Sequence, residues 1–348
     1  MSEPPVQFGV VPAHGVANLA VAAEQIAASR EYGFDSVWIE EHHAQGPYWP
    51  TPFLAVAALA EHLGRLKIGT NVLVLPLHDP VHVAEQVAIL DQMTSGRFVL
   101  GVGLGDSQAE FAAFQVPAER RGARFEDQVR IIRSLWRGDA ADANGKFYRL
   151  NGVRLSTLPR QENGPPIWIG GWGPKQLRRA AELGDAWFPG PVGTMTQVVE
   201  RQSAYDGILR QMGVDPLQRA RPITRDVVIA STRTEAWEIA SNAVLKSYSD
   251  TYLDSDHPLV GTSTSSRFNT VLELARDRML VGDVDDVAME AARYLARLHC
   301  SHLILRPKVP GIKVDQIFPM LRLLGSEVLP RLREAAANRE LLVKLAQL

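Results

Sequence analysis

Residues 37–43, with the sequence VWIEEHH, carry an apolar run directly into two glutamates and two histidines. The apolar run is typical of a buried strand, so the four polar residues stand at a strand end. Histidine ordinarily titrates near neutrality and can therefore give or take a proton under physiological conditions. The segment predicts a site of proton transfer at the point where a strand opens into a loop.

We do not predict a metal site from this segment. Adjacent histidines lack the i, i+4 spacing of a ligand pair on one helix face, and no clear third ligand accompanies them. The only cysteine, Cys300, excludes an intrachain disulfide or a cysteine-rich zinc site. It ends an apolar helical pattern, where we expect a buried, unreactive thiol.

Two glycine-rich segments follow other apolar runs, GVGLGD at 101–106 and GGWGPK at 170–175. Glycines let backbone N–H groups approach a phosphate, and Pro174 is placed to open a helix whose N-terminus favours an anion. We predict that main-chain groups near Gly170, Gly171, Trp172 and Gly173 cradle a phosphate, although glycines here also suit a tight turn. GVGLGD lacks the G-x-G-x-x-G spacing of a dinucleotide fold. Its Gly103 would admit a cofactor edge, with Ser107 as a hydroxyl donor.

The elements that must position these residues alternate between short β-rich runs and longer segments of helical periodicity. Eight of each predict an α/β fold, a (β/α)8 TIM barrel with insertions, as a single domain over 1–348. Residues 139–164 and 247–280 do not fit the repeat and are predicted insertions, the first with a small hairpin. The strand candidates are 7–11, 36–40, 66–75, 97–103, 166–171, 185–189, 225–230 and 302–307. The helical candidates are 18–32, 52–63, 81–93, 121–136, 175–183, 195–212, 284–298 and 315–334.

A barrel opens its active site at the carboxyl ends of its strands. Strand one runs into His14 and strand eight into Arg306, while Tyr48 and Trp49 follow the EEHH segment. We predict that these four residues line a substrate pocket, where Arg306 suits an anionic substrate group or an acidic partner. Trp168, Trp172 and Trp187 are further candidates for an apolar lining that excludes water, although aromatics at such positions are more often plain core.

The overall charge favours a small-molecule substrate. The 37 basic and 39 acidic side chains give a formal net charge of −2, which attracts neither nucleic acid nor an anionic membrane. The N-terminus lacks a signal-peptide pattern, and no run of 18 apolar residues occurs, so we expect a cytoplasmic protein.

The segments GFDSVWIEEHH, LKIGTNVLVLPLHDPVHVAEQVAILDQMTSGRFVLGVGLG and PPIWIGGWGPKQLRRAAELGDAWF together resemble the bacterial luciferase-like family of flavin-dependent monooxygenases and oxidoreductases. The similarity extends to HLILRP and LRLLGSEVLPRL near the end of the chain. It implies a barrel that binds reduced FMN, reacts it with O2 and oxygenates a small organic substrate. It also implies a separate NAD(P)H-dependent flavin reductase and a homodimer.

The resemblance also implies roles for individual residues. His42 matches the histidine that acts as acid or base in the family, Asn71 lies where the family contacts the flavin ring, and Glu41 borders the cofactor in an orienting role. Bacterial luciferase has a Glu-Ser pair where this chain has Trp172 and Gly173, and an arginine at Leu104. Two side-chain contacts to phosphate are therefore missing.

Two alternatives remain open on this reading. One branch of the superfamily binds a deazaflavin coenzyme and transfers a hydride without oxygen; the GWGP segment favours that branch, whereas EEHH favours FMN. A noncatalytic flavin-binding subunit is the other alternative, and the retained EHH segment argues against it. Fold alone does not separate these functions.

Overall fold

The computed structural model describes residues 5–12, 19–43, 49–252, 271–307 and 311–347, with the backbone alone at 244–252 and 271. Its strands are β1 Gln7–Val10, β2 Ser36–Ile39, β3 Lys67–Thr70, β4 Leu73–Val74, β5 Phe98–Gly103, β6 Ala141–Asn144, β7 Arg149–Val153, β8 Ile167–Gly170, β9 Ala186–Phe188, β10 Pro222–Ile229, β11 Leu280–Gly282 and β12 His302–Arg306.

Its α-helices are α1 Leu19–Glu31, α2 Pro52–Leu59, α3 Pro80–Met93, α4 Gln108–Ala113, α5 Arg121–Trp136, α6 Pro174–Leu183, α7 Met195–Gln211, α8 Arg233–Tyr252, α9 Val271–Ala275, α10 Val284–Leu298, α11 Val314–Leu323, α12 Leu329–Ala337 and α13 Arg339–Leu345. A π-helical segment, Leu324–Val328, joins α11 to α12.

The central sheet is parallel and curled, which confirms the predicted α/β barrel. Neighbouring strands follow the order β11-β10-β12-β1-β2-β3-β5-β8-β9, with β4 beside β5. The registered pairs of this sheet are all parallel, as βα units require. Strand β9 contacts β10 and so brings the curled sheet round on itself.

The two largest of three apolar clusters in the described residues hold the barrel together. The larger core packs the outward faces of the strands against the helices. The smaller core fills the barrel interior around Trp38, whose ring stacks on Trp168 with centroids 4.9 Å apart and meets Phe188 edge-on. Glycine is needed beside this indole, since a Cβ at Gly69 would lie 2.5 Å from it. Packing of this density locks the strand positions that carry the site.

Local sequence signals explain several helix boundaries. Asp79 caps α3 by accepting from the N–H groups of Val81 and His82, and Pro80 follows at the first helical position. Thr194 and Gln197 form a reciprocal capping box at the start of α7. Such caps usually contribute about 1 kcal/mol each.

The structure also departs from the predicted elements. Helices α4, α8, α9 and α13 were not predicted. Helix α4 has only six residues, and α8 carries several serine, threonine and asparagine residues that weaken helix propensity. Residues 141–153 form the antiparallel β6–β7 hairpin, which agrees with the small hairpin predicted in the first insertion. Within the second predicted insertion, 247–252 belong to α8 and 271–275 to α9, while 253–270 lie outside the described residues. No helix in the described ranges is long and apolar enough to cross a membrane.

Candidate active site

A cavity of about 380 Å³ opens at the carboxyl ends of the barrel strands. Loops and strand ends after β2, β3, β5, β8, β9 and β12 contribute to its wall. Nine residues singled out from the sequence line it together: Glu41, His42, Asn71, Gly103, Gly170, Gly171, Trp172, Gly173 and Arg306. Parallel strands of a barrel end at the same face, which explains why positions separated by up to 265 residues of sequence meet here.

Other predicted site residues lie elsewhere. Ser107 is the N-cap of α4 and accepts from the N–H of Glu110, and it does not line the cavity. Trp49 is 2% exposed and belongs to the larger core, so it does not line the cavity as predicted. Its carbonyl accepts from the N–H of His42, which ties that loop to the core. His14 and Tyr48 lie outside the described residues.

The other tryptophans divide between the cavity and the core. Trp172 lines the cavity, and Trp187 meets it edge-on with centroids 5.6 Å apart. Trp187 supports the site from behind, because its indole N–H donates to the carbonyl of Gly171 over 2.7 Å. Trp168, a candidate for the lining of the barrel mouth, packs instead in the barrel interior toward the opposite end, which is the core alternative.

His42 pairs with a carboxylate that the sequence reasoning missed. Its Nδ1 lies 3.6 Å from Oε1 of Glu110, and the same oxygen accepts from the backbone N–H of His43 over 2.8 Å. The Glu110 side chain is 3% exposed, whereas His42 is 31% exposed and faces the cavity. The available signal was the Ser107-x-x-Glu110 spacing after strand β5, which is typical of a helix start at the barrel mouth.

Glu41 lines the cavity, and its carboxylate belongs to a buried network of hydrogen bonds. Oε1 lies 3.0 Å from Nε2 of His43 and 2.7 Å from Nε2 of His78, and Oε2 accepts from the N–H of Val74. Burial alone would raise the pKa of Glu41, but the hydrogen bonds and charge of its partners lower that pKa to about 2. Burial lowers the pKa of His43, while Glu41 and Glu110 outweigh it and raise the pKa overall.

Arg306 has acidic partners within the protein. Its guanidinium forms a two-point ion pair with Asp226 and lies 3.0 Å from Oε1 of Glu40. All three side chains are buried, and Glu40 and Arg306 line the cavity floor. Because two carboxylates offset its charge, Arg306 supports the site more than it attracts an anionic substrate.

The turn after β8 meets the needs of a bound phosphate. Gly171 has a φ of +119°, and a Cβ there would lie 2.3 Å from Gln176, so the turn requires glycine. Gly173 is the N-cap of α6, and a Cβ there would meet nothing within 4 Å, which leaves room for a ligand. The helix N-terminus behind it favours an anion.

Three basic side chains, which were not predicted, line the same part of the cavity. Lys175 and Arg179 lie on α6, and Arg121 begins α5. Arg179 also pairs with Glu126 over 2.8 Å. With the glycine turn, these cations fit the anionic part of a flavin-type cofactor.

Asn71 lies at the middle of the cavity wall. Its Nδ2 donates to Oγ1 of Thr224 on β10 across a distance of 3.4 Å, and the peptide bond that follows it, to Val72, is cis. Both Asn71 and Val72 line the cavity, beside Gly103 on β5. This position agrees with a contact to the ring of a cofactor, which stays a prediction.

A second cavity, of about 730 Å³, lies at the opposite end of the barrel beside Trp168 and His302. Apart from Trp168, a candidate only for an apolar lining, none of the residues singled out from the sequence lines it. The amino-terminal face of a barrel ordinarily serves stability, so the smaller cavity at the carboxyl ends is the candidate active site.

A parallel barrel with a ligand-sized cavity at the carboxyl ends of its strands defines a (β/α)8 class of protein that is mostly enzymatic. The model of the luciferase-like monooxygenase family matches residues 5–298, so this chain belongs to that family. It is a luciferase-like oxidoreductase that depends on a flavin-type cofactor.

Relatives with either cofactor are similar to the chain. An F420-dependent glucose-6-phosphate dehydrogenase of Nakamurella multipartita is 27% identical over 347 residues, covering 96% of this chain and 98% of its own. The fold matches monooxygenase RslO1 from Streptomyces bottropensis with a TM-score of 0.79 at 21% identity, over 93% of this chain and 99% of that one. It also matches the FMN complex of the oxygenating constituent of 3,6-diketocamphane monooxygenase from Pseudomonas putida, with a TM-score of 0.76 at 19% identity, over 94% and 99%.

Proposed function

We propose that this protein uses the deazaflavin coenzyme F420 to take a hydride from the hydroxyl-bearing carbon of a small molecule, or to return one to the corresponding carbonyl carbon. This was the alternative, not the main, expectation from the sequence. The full-length similarity to an F420-dependent dehydrogenase supports it. The observation that carries the proposal is the basic wall beside the glycine turn, formed by Arg121, Lys175 and Arg179.

The basic wall suits a ligand with several anionic groups. FMN ends in one phosphate, whereas F420 continues through a phosphodiester into a tail of glutamate carboxylates. One helix N-terminus is enough for a single phosphate, and the additional cations offset the additional charges of a longer tail. Bacterial luciferase holds the FMN phosphate through two side-chain contacts. Both are missing here, where the corresponding positions are Trp172, Gly173 and Leu104.

The pairing of His42 with Glu110 supports a dehydrogenase mechanism. When bound, the coenzyme accepts or supplies a hydride. His42 would take the hydroxyl proton of the substrate at Nε2 as the hydride leaves the carbon, and return it in the reverse direction. The carboxylate of Glu110, near Nδ1, would stabilise the imidazolium that forms. The buried Arg306 cluster and Trp172 would limit access of water.

An FMN-dependent monooxygenase is the second candidate. The EEHH segment and the fold similarity to an FMN complex favour it. In that case, His42 would manage protons during oxygenation, and a separate flavin reductase would supply reduced FMN. A noncatalytic flavin-binding subunit would have no use for a His42–Glu110 pair in the cavity.

A comparative anaerobic titration tests the proposal. Purified protein is titrated with F420 and with FMN, each oxidised and reduced, and the reduced complexes are then mixed with air while spectra are recorded. We expect selective binding of F420 and a complex that is inert to oxygen. Tighter binding of FMN with a transient flavin-oxygen absorbance would overturn the proposal in favour of the monooxygenase.

A charge-removing variant tests the basic wall itself. Lys175→Gln is expected to weaken F420 binding about 10-fold, since it removes one charge-assisted contact of roughly 1.5 kcal/mol. FMN binding should change much less. Lys344→Gln, on the exposed side of α13, is the matched control. Equal weakening of F420 and FMN binding would contradict a contact between Lys175 and the anionic tail of F420.

A further inference from the structure

We infer that Glu41, His43 and His78 form a binding site for a divalent first-row transition-metal ion, at the rim of the barrel mouth. The site is independent of the choice between F420 and FMN. Its three side chains converge on one point from two separate segments of chain: the loop after β2 and the turn between β4 and α3. Sequence reasoning had found only the adjacent histidines and no third ligand.

The donor atoms have the spacing that a metal requires. Nε2 of His43 and Nε2 of His78 lie 3.0 and 2.7 Å from the same oxygen, Oε1 of Glu41. All three donor atoms lie within 4.8 Å of one another. Ligands at metal distances of about 2.1 Å are about 3.0 Å apart at right angles and about 3.4 Å apart in a tetrahedron. An ion can therefore enter with small side-chain movements.

The chemistry of the donors selects the ion. Two imidazole nitrogens and one carboxylate oxygen suit zinc, iron(II), cobalt(II) or nickel(II), and they do not suit calcium or magnesium, which prefer oxygen ligands. Three protein ligands leave further positions for water. The side chain of His78 is 26% exposed, which provides a route from solvent, while those of Glu41 and His43 are almost fully buried.

Each ligand is held in place by groups outside the cluster. The N–H of Val74 occupies Oε2 of Glu41 and leaves Oε1 to the two imidazoles. His43 packs edge-on against Phe114, with ring centroids 4.4 Å apart. Nε2 of Gln128, a fully buried residue on α5, donates to the carbonyl of His78 over 2.7 Å and so fixes its backbone. Such supporting contacts orient metal ligands and raise affinity.

The local charge also favours a dication. Glu41 supplies one negative charge inside the cluster, and the buried Glu110 supplies a second where it accepts from the N–H of His43. Two carboxylates offset an ion of charge +2, so its burial leaves no net local charge. The site would tie the loop that carries His42 to the β4–α3 turn.

Cobalt(II) is the probe for this site. Protein without an affinity tag is stripped of metal, dialysed at pH 7.5 and titrated with Co²⁺, and the visible d–d bands are recorded before displacement with Zn²⁺. We expect one equivalent of Co²⁺ to bind and Zn²⁺ to displace it. Absence of the bands, together with no stoichiometric binding of Zn²⁺ by calorimetry, would overturn the inference.

Matched variants assign the binding to these residues. His78→Gln keeps a hydrogen-bond donor toward Glu41 but loses the imidazole, and it should weaken Co²⁺ binding by at least about 10-fold. His62→Gln removes an imidazole that lies 3.4 Å from the carboxylate of exposed Glu61, and binding should be unchanged. Circular dichroism checks that each variant folds. If His78→Gln does not fold, His43→Gln is used as the ligand variant instead. Binding that survives in the ligand variant would place the ion elsewhere and refute the site.

Discussion

At the scale of single residues, the candidate chemistry depends on side chains that are far apart in the sequence. The imidazole of His42 lies beside the carboxylate of Glu110, and the carboxylate of Glu41 contacts the imidazole of His78. A carboxylate behind an imidazole holds the ring in one orientation, which a general base needs for proton transfer. The pair is therefore expected to act as one unit.

A double-mutant cycle tests that unit. His42→Ala should lower kcat by about 10²- to 10⁴-fold and leave the coenzyme Kd within about 3-fold, because the imidazole acts on the proton and not on the anionic tail. Glu110→Gln should lower kcat by at least about 10-fold in the natural background and have little further effect beside His42→Ala. Glu119→Gln, on the exposed surface near α5, is the control. Additive losses, or equal loss of turnover and binding, would contradict the pairing.

At the scale of elements, the β8–α6 connection supplies both a close backbone approach and a helix N-terminus. Gly171 is required by its own backbone, whereas Gly173 has an ordinary φ of −76°. A side chain at Gly173 would point into open space. The turn therefore does not require glycine at this position, and the free space there fits the phosphate that we propose.

Gly173→Val separates these two roles. The valine would occupy the predicted phosphate position, so we expect the Kd of the coenzyme to rise by at least about 10-fold. The loss of a favourable N-cap residue costs at most about 1 kcal/mol, so the midpoint of thermal unfolding should fall by only a few degrees. Gly207→Ala, within α7 and also with nothing near its added Cβ, is the control. Unchanged binding would show that the phosphate lies elsewhere.

At the scale of the whole molecule, the two ends of the barrel have different roles: one carries the candidate active site and the other contributes to stability. The carboxyl end carries the candidate active site around the smaller cavity, while the amino end packs His302 edge-on against Trp168 with centroids 4.8 Å apart. Burial, with a smaller contribution from the charge of Lys67, lowers the pKa of His302 to about 3. Stability should depend on pH through this histidine.

The sign of that dependence follows from the lowered pKa. The unfolded chain, where histidine titrates near 6.5, binds a proton that the folded barrel does not, so the free energy of unfolding falls as the pH drops from about 6.5 toward 3. The slope is at most about 1.4 kcal/mol per pH unit. Urea unfolding of the natural protein and of His302→Gln at pH 7.5 and 5.0 should show the difference between them shrinking at the lower pH. His82→Gln, exposed on α3, should keep the natural slope, and an unchanged slope in His302→Gln would contradict the assignment.

The sequence by itself determined the barrel and the face that carries the site. Alternating strand and helix patterns predicted the eight strands that form the barrel: β1, β2, β3, β5, β8, β9, β10 and β12. They also predicted helices such as α5 with the observed boundaries. Periodicity and glycine spacing are local properties of the sequence. A barrel places the carboxyl ends of all its strands at one face, so these patterns were enough to place Gly171 and Gly173 at that face.

Only the tertiary structure decided which side chains are partners. Glu110 reaches His42 across 68 positions, His78 reaches Glu41 across 37, and Arg306 reaches Glu40 across 266. No local pattern records these pairs, because closure of the barrel and the course of each loop determine which strand ends become neighbours. The burial of Trp49 and the basic wall also depend on that closure, and our proposal of F420 as the cofactor rests on that wall.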